Sequence, residues 1–304
     1  MNTTVNRRVF LAGALGAAAY GTVVGSAARA VEQKTGPWVC AFSKHLQFLD
    51  YKQLAKTGRE VGLDGFDLTV RSKGHVEPKN VAKDLPAAVE AIRAEGLEVY
   101  MITTSLNKGS DPDARPILEA ASKLGIRYFR VGGLRYDMEG PILPQLDTFT
   151  EGLRELAKVA EEFKMTAGYH NHSGLLNVGG PVWDLHRMLE AIHSPNMGSN
   201  FDIAHAMVEG GYGDWQTTAR LMAPLVKMMA VKDFVWDKDK PKWGPLGEGI
   251  TPTVAVLKIM RGAGFQGPIS MHFEYKIKSN DAVIEEVRKS AQIVRGYLSE
   301  AGYA

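Results

Sequence analysis

Residues 84–133 read DLPAAVEAIRAEG, LEVYMITT, SLNKGSDPDARPILEAASKLG and IRYFRVGG: a helical pattern, a short apolar run, a second helical pattern and a second run. Glu95-Gly96-Leu97 and Leu124-Gly125-Ile126 mark the joints, because glycine takes the left-handed helix cap without steric cost. Ala263-Gly264-Phe265 repeats that joint, and Asp84 before Leu85-Pro86 is a helix-start signal. Working outward from this unit, strands are expected at Trp38–Phe42, Gly65–Thr69, Leu97–Thr103, Tyr128–Gly132, Thr166–His170, Gly198–Asp202, Val226–Lys232 and Ile269–Glu274. Helical stretches are expected near Tyr51–Val61, Asp84–Glu95, Ala114–Leu124, Leu146–Phe163, Val182–Ile192, Gln216–Met222, Pro252–Arg261 and Asn280–Leu298. Eight strand–helix pairs with no dividing linker predict an α/β fold around one parallel sheet. No Gly-x-Gly-x-x-Gly fingerprint follows the first strand, which favours a single closed (β/α)8 TIM barrel over an open doubly wound sheet. Functional groups are then expected where the strands end at their carboxyl side.

The chain has 304 residues, 45% hydrophobic and 23% charged, enough to bury one sizeable core and unlike a disordered or collagen-like chain. Residues 1–30 carry Asn6-Arg7-Arg8-Val9-Phe10-Leu11, a weakly hydrophobic Gly/Ala run, and Ala28-Arg29-Ala30. This pattern looks like a cleavable twin-arginine export signal, so a barrel domain over 31–304 is expected to be folded before export, periplasmic, and without a stable membrane anchor. Removing Arg7, Arg8 and Arg29 leaves 33 bases against 34 acids, net −1, which gives no electrostatic reason for nucleic-acid binding. The lone Cys40 cannot form an internal disulfide and reads as a small buried hydrophobe on the first strand.

Candidate chemistry gathers at the later strand ends. In Tyr169-His170-Asn171-His172, alternation places His170 and His172 on one face, suiting a metal or sugar-hydroxyl site, with core packing as the alternative. Phe201-Asp202-Ile203-Ala204-His205 offers a carboxylate and an imidazole for a cation or for acid/base work; otherwise Asp202 caps the next turn and His205 faces solvent. Lys232 can neutralise a forming enolate or pair with Asp202 or Glu274. His272 and Glu274 share a face of the eighth strand, and Glu274 is the leading base or ligand. Arg71, His75, Arg130 and Tyr136 on earlier loops are candidate substrate contacts, each with a structural alternative, beside a less certain Asp67. In the seventh loop Trp236 and Trp243 offer indole faces to a sugar ring. Glu248, inside the glycine-rich segment where barrels often hold phosphate, points to an unphosphorylated substrate.

Tyr-His-Asn-His (169–172), Phe-Asp-Ile-Ala-His (201–205), Val-Lys-Asp-Phe (231–234), Pro-Leu-Gly-Glu-Gly (245–249) and Gly-Pro-Ile-Ser-Met-His-Phe-Glu-Tyr (267–275) occur in order along the chain. Together they resemble the xylose isomerase-like TIM-barrel superfamily of sugar phosphate isomerases and epimerases, over essentially the whole mature chain. The resemblance implies a divalent cation held by a glutamate, an aspartate, a histidine and a glutamate from strands five to eight. The aspartate falls on Asp202 and the last glutamate on Glu274. The other two positions depart from the pattern, with His170 for the fifth-strand glutamate and Ala230 for the seventh-strand histidine. With His170, His205 or His272 completing the set, an imidazole-rich site favours Mn, Co or Zn over Mg.

The expected activity is proton removal beside a carbonyl on an unphosphorylated sugar or keto-sugar. Glu274, His172 or His205 serves as base, and a cation or Lys232 stabilises the enediolate. Loss of the fifth-strand glutamate, a base in the family's epimerases, makes a keto-glycoside lyase or hydrolase the alternative. A sugar-binding protein without catalysis is a third reading, an endonuclease of the same superfamily, disfavoured by export and by the −1 charge, a distant fourth, and a homo-oligomer is compatible with the sequence.

Overall fold

The computed structural model describes residues 35–210 and 213–303. The expected signal at 1–30 lies outside them. Residues from Thr35 onward form one compact unit. Its heart is a closed barrel of eight parallel strands: β1 (Trp38–Phe42), β2 (Gly65–Thr69), β3 (Glu98–Thr103), β4 (Tyr128–Arg130), β5 (Thr166–His170), β6 (Met197–Asp202), β7 (Val226–Val231) and β10 (Pro268–Met271). Each pairs with its predecessor in the chain's barrel order, and β10 closes the ring between β7 and β1. Helices α1 (Tyr51–Glu60), α2 (Val81–Ala94), α3 (Ala114–Lys123), α4 (Ile142–Glu162), α5 (Trp183–Ile192), α6 (Ile203–Gly210), α7 (Trp215–Met222), α8 (Thr253–Gly262) and α9 (Asn280–Glu300) follow the strands. The expected (β/α)8 barrel is the observed fold.

Alternation along each strand divides the side chains between two environments. Phe66, Leu68, Phe129, Tyr169, Phe201, Met229, Val231, Ile269 and Met271 belong to the continuous apolar core. Alternate residues turn the other way, and these include Asp67, Asn200, Asp202 and Ser270, all fully buried. One sequence period therefore builds a greasy exterior to the sheet and a polar interior to the barrel. Gly96 and Gly125 adopt φ of +76° and +81°, the left-handed joints expected from the sequence. Cys40 is buried on β1.

The structure differs from the sequence expectation at several boundaries. The second helix starts at Val81, three residues before Asp84, because a 3₁₀ turn at Pro78–Asn80 leads straight into it. The stretch after Asp202 is not a loop: α6 starts at Ile203, directly after β6. The seventh loop holds an antiparallel hairpin, β8 (Asp233–Asp237) with β9 (Lys240–Gly244), turning at Lys238 and Asp239. The last barrel strand leaves the ladder at Met271, short of Glu274, although the His272 N–H still donates to the Val231 carbonyl at 3.0 Å. Among the described residues no helix is long and apolar enough to cross a membrane.

Candidate active site

Asp202 ends β6 and does two jobs. Its Oδ1 accepts the His205 backbone N–H at 3.0 Å, capping the first turn of α6. Its Oδ2 faces His170 Nε2 and Lys232 Nζ, each at 3.1 Å. Asn171 clamps the same strand end, donating from Nδ2 to the Asp202 carbonyl and accepting the Asp202 N–H, both at 2.8 Å. The capping alternative for Asp202 is therefore met, but its companion is not: His205 is buried, 1% exposed, and does not face solvent.

Lys232, one residue beyond β7, is the hub. An ammonium carries three N–H donors, and Lys232 finds three acceptors: Asp202 Oδ2, Glu274 Oε1, and His205 Nε2 at 2.7 Å. With Nε2 accepting, His205 carries its proton on Nδ1 and donates it to Ser173 Oγ at 2.8 Å. Glu274 Oε1 also lies 3.1 Å from His205 Nε2 and 3.5 Å from His172 Nε2. The His172 and His205 rings are 3.8 Å apart, and Trp243 on β9 stands edge-on to His205 with its face 5.4 Å from Lys232 Nζ. Residues 170, 202, 205, 232 and 274 thus meet around one spot, with 172 and 243 at its rim. Asp202 is sealed from solvent while the Glu274 side chain remains 27% exposed.

A second polar layer lies beside the first. Asp67 accepts from Thr103 Oγ1 at 2.7 Å and from Ser270 Oγ at 2.9 Å. His272 Nε2 lies 3.2 Å from Ser270 Oγ and 3.9 Å from Asp67, and its ring stacks on Phe42 at 4.5 Å. The Arg71 and Arg130 guanidiniums lie 5.6 and 5.9 Å from the Phe42 ring.

Burial sets the protonation states. Desolvation raises the Asp67 carboxyl to about 6 against the pull of its two hydroxyl donors and of Arg130 and Arg71. Burial also raises Asp202, but the Lys232 charge beside it overrides this and holds it below the usual carboxylate range. Glu274 behaves alike: burial opposes ionisation, while the hydrogen bond from His172 and the Lys232 charge carry it well down. His170, His205 and His272 are each lowered, first by desolvation and then by neighbouring cations. At neutral pH the Asp202 and Glu274 carboxylates are ionised beside Lys232, with His170, His205 and His272 neutral.

Other sequence candidates are placed apart from this cluster or differently in it. His272 belongs to the Asp67 layer, not to either group of metal-donor residues. His75 sits against Thr69, its N–H donating to Thr69 Oγ1 at 2.8 Å. Tyr136 donates to Asp184 Oδ2 at 2.8 Å and packs on Phe149, which commits it to the loop around α5. Trp236 is 42% exposed against Phe234, and Glu248 is exposed. The glycine-rich loop around Glu248 already encloses an anion of the protein's own. The Gly247, Gly249 and Thr251 N–H groups donate to the Asp233 carboxylate at 3.0, 3.1 and 3.0 Å. Sequence reading missed His45, whose Nε2 accepts the Phe273 N–H at 3.0 Å and which burial, then Lys44, brings down to about 3. Its signal was Ser43-Lys44-His45 directly after the first strand. Ser173, the acceptor that fixes His205, follows the His-Asn-His motif and carried no signal of its own.

Two trios of residues have donor atoms within 4.8 Å of one another, close enough for one ion: His170, Asp202 and His205, and His172, His205 and Glu274. The spacing suits a small cation. The charge does not. Lys232 touches two members of each trio, so a dication there would sit about 4 Å from an ammonium, a repulsion on the order of 8 kcal/mol at an effective dielectric of about 20. The expected cation thus meets donors already held by a lysine.

The Xylose isomerase-like TIM barrel family model matches residues 55–294. No curated protein matches. Among solved structures, a xylose isomerase domain protein from Alicyclobacillus acidocaldarius superposes with a TM-score of 0.70 at 17% identity, covering 87% of this chain and 99% of that one. D-psicose 3-epimerase from Clostridium cellulolyticum H10 gives 0.67 at 13%, covering 86% and 99%. The E. coli 3-keto-D-glucoside 4-epimerase gives 0.64 at 15%, covering 85% and 98%. At these identities the likeness speaks for the fold.

Proposed function

The chain belongs to the xylose isomerase-like TIM barrel family, and from that premise we propose a sugar isomerase or epimerase that removes a proton beside the carbonyl of an unphosphorylated sugar or keto-sugar. The carrying observation is the Lys232–Glu274 pair at the barrel mouth, a base and a positive charge in contact. Glu274 is ionised and is the carboxylate of the cluster that solvent reaches. A substrate carbonyl oxygen that accepts a hydrogen bond from Lys232 draws the ammonium off Glu274 and frees it as base. The C–H bond breaks toward Glu274, its electrons form the C=C bond, and the carbonyl oxygen becomes an enediolate oxygen beside Lys232. Return of the proton to the neighbouring carbon, with the enediol's hydroxyl proton passing to the former carbonyl oxygen, gives isomerisation; reprotonation of the original carbon from its other face gives epimerisation. The epimerases among the structural neighbours support this reading.

Asp202 is sealed and paired, so of the cluster's two carboxylates Glu274 is the one that solvent reaches. That observation favours a second reading, β-elimination from a keto-glycoside, in which Glu274 removes the proton and His172 protonates the departing oxygen. Asp233 filling the glycine-rich loop supports a substrate without phosphate. Trp243, beside Lys232 and His205, offers an indole face to a sugar ring. The Arg7-Arg8 motif supports export to the periplasm by the twin-arginine route. The test is turnover by the purified mature protein, with and without Mn2+, on free sugars and keto-glycosides. Conversion of at least one is expected; saturable binding with no turnover under any condition makes the chain a sugar-binding protein.

A further inference from the structure

We infer that Lys232 is the resident cation of this barrel, filling by its ammonium the place between Asp202 and Glu274 that a divalent ion would bridge, and that the native site excludes such an ion. The inference deepens the proposed function, resting on it for the role of that charge, but stands on geometry of its own. Both donor trios share His205, and Lys232 Nζ contacts its Nε2 at 2.7 Å. Lys232 also contacts the carboxylate of each trio. All three ammonium hydrogens are thereby used, leaving no lone pair and no unmatched donor. The side chain is 2% exposed, so water does not screen it.

Local charge points the same way. The Asp202 and Glu274 carboxylates are met by Lys232, and Arg130 lies close enough to interact with both. Two negative charges are offset by two positive ones before any ion arrives. The imidazoles that would complete a metal set, His170 and His172, bring donor atoms but no carboxylate. Position 170 presents an imidazole and position 230 an alanine without a donor atom, so within the cluster the anionic donors are Asp202 and Glu274, both in contact with Lys232.

The test uses no sugar, so its outcome is separate from that of the turnover assay. Wild-type protein, Lys232→Met and Lys232→Arg are treated with EDTA, checked by circular dichroism, and titrated with Mn2+ and Zn2+ by calorimetry. Expected are no stoichiometric binding up to millimolar metal for wild type and Lys232→Arg, and one equivalent bound at least a hundredfold more tightly by Lys232→Met. Adding Glu274→Gln to Lys232→Met should abolish the gain. Wild-type protein that binds one equivalent at micromolar concentration overturns the inference. So does a folded Lys232→Met protein that binds no better than wild type, because the ammonium is then not what keeps the ion out. If Lys232→Met does not fold, the wild-type titration decides alone.

Discussion

Single side chains in this barrel are tuned chiefly by being taken out of water. Asp67 shows the effect without an ion pair: two hydroxyls donate to it, yet desolvation still wins and raises it from 3.8 to about 6. A carboxyl raised on folding makes the native state hold its proton longer than the unfolded chain, so its contribution is complete below pH 3.8 and lost as pH rises through 6. The difference in unfolding free energy between wild type and Asp67→Asn, which cancels the histidines common to both, should move by about 3 kcal/mol in the variant's favour from pH 3.5 to pH 7. Urea denaturation across that range measures it, and a flat difference would mean that Asp67 titrates alike in the native and unfolded states. Asp202 and Glu274, equally desolvated in kind, go the other way because Lys232 touches both. Proximity of one ammonium decides the direction.

Elements carry the site to its place, and the loop after β7 shows how. Asp233 opens the hairpin β8–β9 and gathers N–H groups from Phe234, Gly247, Gly249 and Thr251. A Cβ on Gly249 would fall 2.2 Å from Asp233 Oδ1, so glycine is what lets the backbone close on the carboxylate. This knot anchors the hairpin that lays Trp243 over Lys232 and His205. Asp233→Ala strips four N–H groups of their acceptor and should cost about 2–4 kcal/mol of stability, with Asp233→Asn losing less. Denaturant midpoints test this; a loss under about 0.5 kcal/mol would show the loop held by other contacts. The hairpin was hidden in the sequence because Lys and Asp alternate through 237–240 where an apolar strand period would be the signal. Helix α6 was hidden because it follows β6 with no turn residue between them. His45 and Ser173 carry no periodic signal; they matter through contacts that only the closed ring creates.

At the scale of the molecule, what was legible follows from repetition. Helix, glycine and strand recur often enough that boundary errors of a few residues do not disturb the count, and barrel closure then brings the strand ends together. Positions 170, 202, 232 and 274, spread over more than 100 residues of chain, meet because each ends or follows a barrel strand. The sequence offered Lys232 a pairing with Asp202 or Glu274, and the structure makes both at once; what the sequence did not show is that His205 joins them. His272 finds a neighbour on the strand it follows, Ser270, and Tyr136 donates across to Asp184 on α5, contacts that the sequence pattern did not show. The account comes to rest on Glu274 as the base beside Lys232. The direct measurement is solvent deuterium incorporation at the carbon next to the carbonyl, followed by NMR on a keto-sugar that the wild-type protein converts. Glu274→Gln should slow exchange by roughly 10³-fold or more while keeping substrate affinity within about tenfold; exchange at the wild-type rate in that variant would contradict the account.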